Sequence, residues 1–380
     1  MLDLTTYYTD HLQAIVDLTT ALANLESPTG SKSHVDRLAD FIAERLTAIG
    51  AAVERIPRAT VGDILLAKWN ADQPGKPILF AMHMDTVWPL GTLAVRPVHV
   101  EGDKLIGPGT YDMKASIALV LTVIETMRAH DLFPDRPIWA LLTSDEEVGS
   151  SESVEIIRDV AQHAGLALVM EFAAKNEGLK TWRKGVAHYT LHIAGRSSHA
   201  GNAPEKGINA VLEAAHQTLR MSELAAPEKG TTVSVTVLHG GSAVNVIPES
   251  ATVRIDVRFS TKAEAERVQA AIMSPTPVIA GAVLTPQVDS DRPPMEHDAL
   301  MITTFAEAQA IAARYGLTIG EDGSGGGSDG NFIAGMGIPT LDGLGSHGDG
   351  AHAQIEHCLI PSLARRAVLL SALIREWPAM

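Results

Sequence analysis

Residues 77–85 read Pro77-Ile78-Leu79-Phe80-Ala81-Met82-His83-Met84-Asp85. The apolar run Pro77–Met82 is too short for a helix and has no polar alternation. It reads as a strand buried on both faces. It ends on an imidazole and a carboxylate two positions apart, which share a face on an extended chain. In open α/β sheets the carboxyl ends of the strands form the ligand crevice.

The same pattern recurs on either side. Asp63–Trp69, Arg136–Thr143 and Leu166–Met170 read as short apolar strands. Leu12–Leu25 and Val35–Ile49 have the spacing of amphipathic helices, and Met113–Ala129 and Ser151–His163 read as two more. Strands alternating with helices predict a layered α/β sheet. Acidic groups follow these strands too: Asp145-Glu146-Glu147 after one, Glu171 after another, and Asp112 at the end of a Gly-rich loop directly before a helix.

Several carboxylates in one crevice repel and raise one another's pKa. A pair of divalent cations removes that problem. Imidazole and carboxylate donors without thiolates suit zinc, with cobalt or manganese as alternatives. Two metals call for a bridging carboxylate, and Asp112, in a constrained loop at a helix start, is the candidate. Asp85 is placed to orient the His83 ring. Glu146 and Glu147, if extended, point opposite ways, so one can hold metal while the other faces a reacting water.

A second pattern begins near Lys184. Val186–Ala194, Thr232–Leu238, Ala251–Phe259 and Val278–Asp289 read as strands, and Pro204–Ser222 and Ala263–Ile272 as helices. These predict a compact α+β module inserted into the α/β domain. The first pattern returns with a helix at Asp298–Tyr315, a Gly-rich stretch at Gly320–Gly330, a strand near Pro339 and a helix at Pro361–Arg375. The expected boundaries are 1–183 and 295–380 for the α/β domain and 184–294 for the insert.

Bulk properties exclude several classes. A net charge of −15 over 380 residues argues against a nucleic-acid partner, which needs a basic face. One cysteine, Cys358, rules out an intrachain disulfide. The longest apolar candidate, Ala115–Ile124, is far short of a membrane span and reads as a buried helix. Met1–Asp10 lacks the basic and apolar regions of a signal peptide, so a cytoplasmic location is expected.

Several segments together resemble a metallopeptidase family. They are His83-Met84-Asp85-Thr86-Val87-Trp88-Pro89, Gly109-Thr110-Tyr111-Asp112-Met113-Lys114, Glu146-Glu147-Val148-Gly149-Ser150, Ser198-His199-Ala200-Gly201, Gly326-Gly327-Ser328-Asp329, and His352 with Glu356. The resemblance is to the dinuclear-zinc family of glutamate carboxypeptidases, acetylornithine deacetylase and succinyl-diaminopimelate desuccinylase. It covers nearly the whole chain in order. It is strongest to the glutamate carboxypeptidase branch, through Asp291-Arg292-Pro293 and Gly325-Gly326-Gly327-Ser328-Asp329.

The resemblance implies a zinc-exopeptidase-like α/β domain, with a mixed central sheet flanked by helices, and an inserted α+β lid through which two copies dimerise. It implies one zinc held by His83, Asp112 and Glu171, a second held by Asp112, Glu147 and His352, and Glu146 as general base. His199 matches a lid histidine that completes the other subunit's site, Asn245 a lid asparagine near the substrate, and Arg292 an arginine that holds the substrate carboxylate. His347 competes with His352 as ligand, although the His-x-x-x-Glu spacing to Glu356 favours His352. A lysine that reads a substrate side chain has three candidates, Lys175, Lys180 and Lys184. The expected substrate is a small peptide cut beside its free carboxylate. An N-acyl amino acid or a dipeptide is the alternative.

Overall fold

The computed structural model describes residues 2–378, the side chain of Asn176 excepted. Met1, Ala379 and Met380, the ends of the expected α/β segments, lie outside the described residues. The chain divides into two compact units. One comprises residues 2–182, 297–324 and 328–378, and the other residues 183–296 with Gly325–Gly327.

The first unit is built on a six-stranded sheet. Its spatial order is Ala52–Ile56, Ile64–Trp69, Ile138–Thr143, Ile78–His83, Leu166–Val169, Thr340–Leu341. The first two junctions are antiparallel and the remaining three parallel, so the sheet is mixed. All six residues of Ile78–His83 are buried. Its side chains alternate between two cores, as a strand's period of two requires. Ile78, Phe80 and Met82 join the larger cluster, which holds most of the helices, including Leu12–Ala23, Lys32–Ala48, Ala115–Ala129 and Ile360–Glu376. Leu79 and Ala81 join a smaller cluster with Ile157 and Val160 of one helix and Phe332 and Ile333 of another. Truncating Phe80 to Ala should cost about 3–5 kcal/mol.

The helix Ala115–Ala129 is apolar nearly all round because it is enclosed nearly all round, from Ala115 to Leu121 without a break. This matches the buried-helix reading of 115–124. No helix among the described residues is long and apolar enough to cross a membrane.

Several boundaries differ from the sequence reading. A short helix, Leu4–Asp10, precedes the first expected one and is capped by the Asp3 carboxylate on the amides of Thr5 and Thr6. The edge strand Ala52–Ile56 was not anticipated, because its half-exposed face shows no apolar run. The helix expected from Met113 starts at Ala115, and that expected over Ser151–His163 spans only Val154–Ala161. A four-stranded sheet of short strands, His99–Glu101, Lys104–Ile106, His357–Leu359 and Gly348–Asp349, was also unforeseen.

The second unit carries an antiparallel sheet in the order Thr232–Gly240, Ser250–Phe259, Gly185–Ala194, Val283–Arg292. Ala187, Tyr189, Leu191 and Ile193 pack with Val253, Ile255, Val257 and Phe259 against the helices Ala210–Ser222 and Lys262–Met273. The helix expected to begin at Pro204 begins instead at Ala210, where the Asn209 side chain caps the amide of Leu212. Pro204–Lys206 forms a separate single turn. The last strand runs Val283–Arg292, later than the expected Val278–Asp289, so Arg292 is its final residue.

Candidate metal centre

Three mutually parallel strands deliver functional groups at the same edge of the sheet. Ile78–His83 ends on His83. Ile138–Thr143 leads into Glu146 and Glu147. Leu166–Val169 leads through Met170 to Glu171. Asp112 arrives from the loop before the central helix, and His352 from the turn between Gly348–Asp349 and His357–Leu359.

The Asp112 carboxylate stands between the two histidines. Its Oδ1 is 3.1 Å from His83 Nε2, and its Oδ2 is 3.3 Å from His352 Nε2. Glu171 Oε1 lies 3.6 Å from His83 Nε2, and Glu147 Oε2 lies 2.9 Å from His352 Nε2. His83, Asp112 and Glu147 offer ligand atoms within 4.8 Å of one another, and so do His83, Glu146 and Glu171. Two overlapping donor sets therefore share His83, and Asp112 faces both imidazoles.

Glu146–Val148 is a single helical turn and not the extended segment expected. Both glutamate amides donate to the buried Asp85 carboxylate at 3.3 Å, and the Thr29 hydroxyl donates to it at 2.7 Å. Asp85 thus fixes the turn that carries the two glutamates. The strand ends at His83, and His83 Nδ1 is 3.0 Å from the Asp85 carbonyl oxygen and 3.5 Å from its carboxylate. The expected carboxylate–imidazole contact is therefore outranked by a backbone one.

The charges in this cluster lean on each other. The His352 imidazole is pushed up to about 10 by its contacts with Asp112 and Glu147. Burial depresses the His83 imidazole, but Asp112 and Asp85 outweigh it and hold it well above its ordinary value. Burial works against the Asp112 carboxylate, which His352 and His83 nevertheless keep far below the usual range. Burial pushes Glu147 up to about 7. The raised imidazole values favour imidazolium, whose charge offsets that of the neighbouring carboxylates.

The donor set fits divalent metal. Glu147 Oε1 is buried and has no hydrogen-bond partner among the described residues, as expected of an oxygen that would ligate an ion. The donors are imidazole and carboxylate. The only cysteine, Cys358, is fully buried, and burial raises its thiol to about 12. Among the described residues, His347 belongs to neither donor set, and its amide donates to the Ser362 hydroxyl at 3.1 Å.

Some residues named from the sequence support the site through contacts that were not foreseen. Asp145 takes hydrogen bonds from the Ser153 hydroxyl and the Glu152 amide. Asp329 takes them from Thr143 and Ser150 on either side of the glutamates. Glu356, anticipated only through its spacing from His352, is fully buried and accepts from the loop that carries Asp112.

In the second unit, His199 and Asn245 meet at a two-residue ladder of Ser198–His199 with Val246–Ile247. The Ala200 amide donates to the Asn245 carbonyl at 2.9 Å. Both residues are exposed. His199 Nδ1 accepts the amides of Gly201 and Asn202, at 3.1 and 3.0 Å, which leaves Nε2 to carry the proton of the neutral ring. Arg292 is buried, and a side chain at Gly327 would meet its Cδ at 2.7 Å. Of the three lysines, Lys180 is buried with its Nζ 3.7 Å from the centre of the Phe172 ring, next to Glu171. Lys175 is exposed, and Lys184 falls in the second unit.

The family model described as Peptidase family M20/M25/M40 matches residues 79–376. Carboxypeptidase G2 from Pseudomonas sp. (strain RS-16) is 31% identical over 379 residues, which cover 97% of this chain and 90% of the relative. Succinyl-diaminopimelate desuccinylase from Acidovorax ebreus (strain TPSY) is 30% identical over 339 residues, 78% of this chain and 81% of the relative. Among solved structures, aminopeptidase PepT from Bacillus cereus ATCC 10987 superposes with a TM-score of 0.77 at 22% identity, covering 96% of this chain and 98% of that one. That last likeness concerns the fold.

A metal-dependent hydrolase is the class that this fold and these relatives define. The chain belongs to peptidase family M20/M25/M40, as the motif resemblance implied.

Proposed function

We propose that this chain cleaves an amide bond beside a free α-carboxylate, in the manner suggested by the name of its carboxypeptidase relative. The observation that carries the reading is the Asp112 carboxylate, with one oxygen on His83 and the other on His352. His83, Asp112 and Glu171 would hold one divalent ion, and Asp112, Glu147 and His352 the other; zinc fits best, with cobalt or manganese possible. Bound there, such a pair acidifies a water and polarises the scissile carbonyl.

The chain's own groups do the rest. Glu146 shares a cluster with Glu171 and His83 while remaining partly accessible, which suits a base that takes a proton from water and returns it to the leaving amine. Asp85 holds Glu146 and Glu147 in register through their amides. His199, with its proton on Nε2, is a donor of the kind that steadies a developing oxyanion, and we assign that role to His199 of a second copy in a homodimer formed through residues 184–294. Arg292 would grip the substrate α-carboxylate through its planar fork, with Asn245 as a further polar contact. Lys180, beside the residue that follows Glu171, is the lysine best placed to read a substrate side-chain acid.

A hydrolysis screen tests the proposal. Peptides and N-acyl amino acids with free carboxylates should be cut, and their amidated counterparts should be poor. Chelation should abolish turnover, and zinc or cobalt should restore it. Full activity in protein shown by elemental analysis to be metal-free would end the reading. The desuccinylase relative supports a second outcome, in which the favoured substrates are N-acyl amino acids and not peptides.

A further inference from the structure

Glu356 is fully buried, and among the described residues the polar partners of its carboxylate are donors. Oε2 accepts the Trp88 indole N–H at 2.6 Å and the Gly109 amide at 2.9 Å. Oε1 accepts the amides of Tyr111 at 3.1 Å and Asp112 at 3.2 Å. A buried carboxylate is costly unless its lone pairs are matched, and here four donors match them. A glutamine of the same shape would turn an N–H₂ toward N–H groups and leave at least one of them unsatisfied.

The position of this cradle is informative. One of the four donors is the amide of Asp112, whose side chain faces both His83 and His352. Glu356 also ends the segment that begins with His352. His352 takes a left-handed backbone, φ +62°, in a turn closed by the bonds from the Ala353 amide to Gly350 and from the Glu356 amide to Ala353. The Glu356 carbonyl accepts the Gly107 amide at 3.3 Å, at the start of the Asp112 loop. Gly109, in the middle of that loop, has φ +70°, and a side chain there would meet Thr86 at 2.9 Å. Two irregular loops, each carrying a metal-ligand candidate, are therefore fastened together through one residue.

We infer that Glu356 is a positioning residue for the dinuclear centre. It sets the distance and orientation of Asp112 relative to His352, and so the affinity and geometry of the ions that those groups hold. The inference rests on the metal reading above. Outer groups that orient ligands typically alter metal affinity by ~10–100-fold when removed.

The test uses the full chain and the metals alone. Zinc is titrated against a competing chelator, and the visible absorption of the cobalt-loaded protein is recorded, for wild type, Glu356→Gln and Trp88→Phe. Glu356→Gln should weaken at least one of the two zinc equivalents by ~10–100-fold and shift the cobalt spectrum. Trp88→Phe removes one donor of four and should shift both readings in the same direction by less. If Glu356→Gln does not accumulate as folded protein, Trp88→Phe decides by the same readings. Wild-type zinc affinity and an unchanged cobalt spectrum in the variants, even with a lowered melting temperature, would make Glu356 a core residue and overturn the inference. That result leaves the metal reading standing, because wild type would still take up two equivalents. A wild type that takes up no metal overturns both.

Discussion

The two units hold their candidate residues in opposite ways. In the α/β unit, His83, Asp112, Glu147 and Glu171 are drawn from segments far apart in sequence, sealed from solvent at their side chains, and tied to one another or to His352 within 4 Å. In the second unit, His199 and Asn245 sit exposed on a ladder of two residue pairs. Buried carboxylates set against one another oppose folding, so their presence demands compensation, by protons in this state and by metal in the proposed one. The exposed pair costs the fold almost nothing. The lesson is that the first cluster announces function through its energetics, whereas the second does so only through what it could touch.

The sharpest break in this contrast is Glu146→Gln. It keeps shape and removes the base, so kcat should fall by ~10²–10⁴, while zinc content and melting temperature stay near wild type. Glu147→Gln should instead lose metal, since Glu147 touches His352. Metal loss in Glu146→Gln and rate loss with full metal in Glu147→Gln would show the roles reversed.

Arg292 stands between the two styles, since it is buried but belongs to the second unit. Arg292→Ala should lower kcat/KM by ~10²-fold on substrates with a free carboxylate, by leaving that charge unpaired. Arg292→Lys should recover part of the loss. Equal losses on free and amidated substrates would mean that Arg292 supports its strand and does not read the substrate.

How much of this was visible beforehand follows the same division. Ile78–His83 was legible because a strand buried on both faces has no freedom to be polar. The placement of His83, Glu146, Glu147 and Glu171 together was legible because they end or closely follow such strands. The turn at Glu146–Val148 was not, because it is imposed by Asp85, some sixty residues earlier in the chain. The Glu356 cradle was beyond reach for the same reason, with its donors 244 to 268 residues away. The break between Pro204–Lys206 and Ala210 turns on an Asn209 cap that a continuous helical reading passes over.

Dimer sharing is tested by mixing. His199→Ala and Glu146→Gln subunits are each expected to be nearly inactive alone. If the copies pair as proposed, random pairing would give heterodimers in which one site has both residues intact, so up to about a quarter of wild-type activity should return. No return, once subunit exchange is demonstrated, would place His199 outside the partner's site.

The smallest expected effect concerns pH, and it separates the two units without substrate. His352 titrates near 10 in the folded chain because Asp112 and Glu147 sit against its ring, and at about 6.5 when unfolded. A raised imidazole stabilises the native state fully below its unfolded value, and that support drains away as pH climbs through the native one. His83 is raised as well and acts with the same sign. Glu147, pushed up to about 7 by burial, ionises at a cost to the native state as pH rises past its unfolded value. The three add, so metal-free protein should lose melting temperature by a few degrees between pH 6.5 and 10. Zinc held as proposed would compete for the same groups in their deprotonated forms, so its binding should strengthen over that range. The gap between zinc-loaded and metal-free melting temperatures should therefore widen steadily with pH, and His352→Ala should flatten most of the widening. His199→Ala should leave both curves unmoved, because His199 is exposed and belongs to the second unit. Parallel curves for the two metal states in wild type would show that the imidazolium protons and the metal do not occupy the same place, and the energetic distinction between the two units would fail with them.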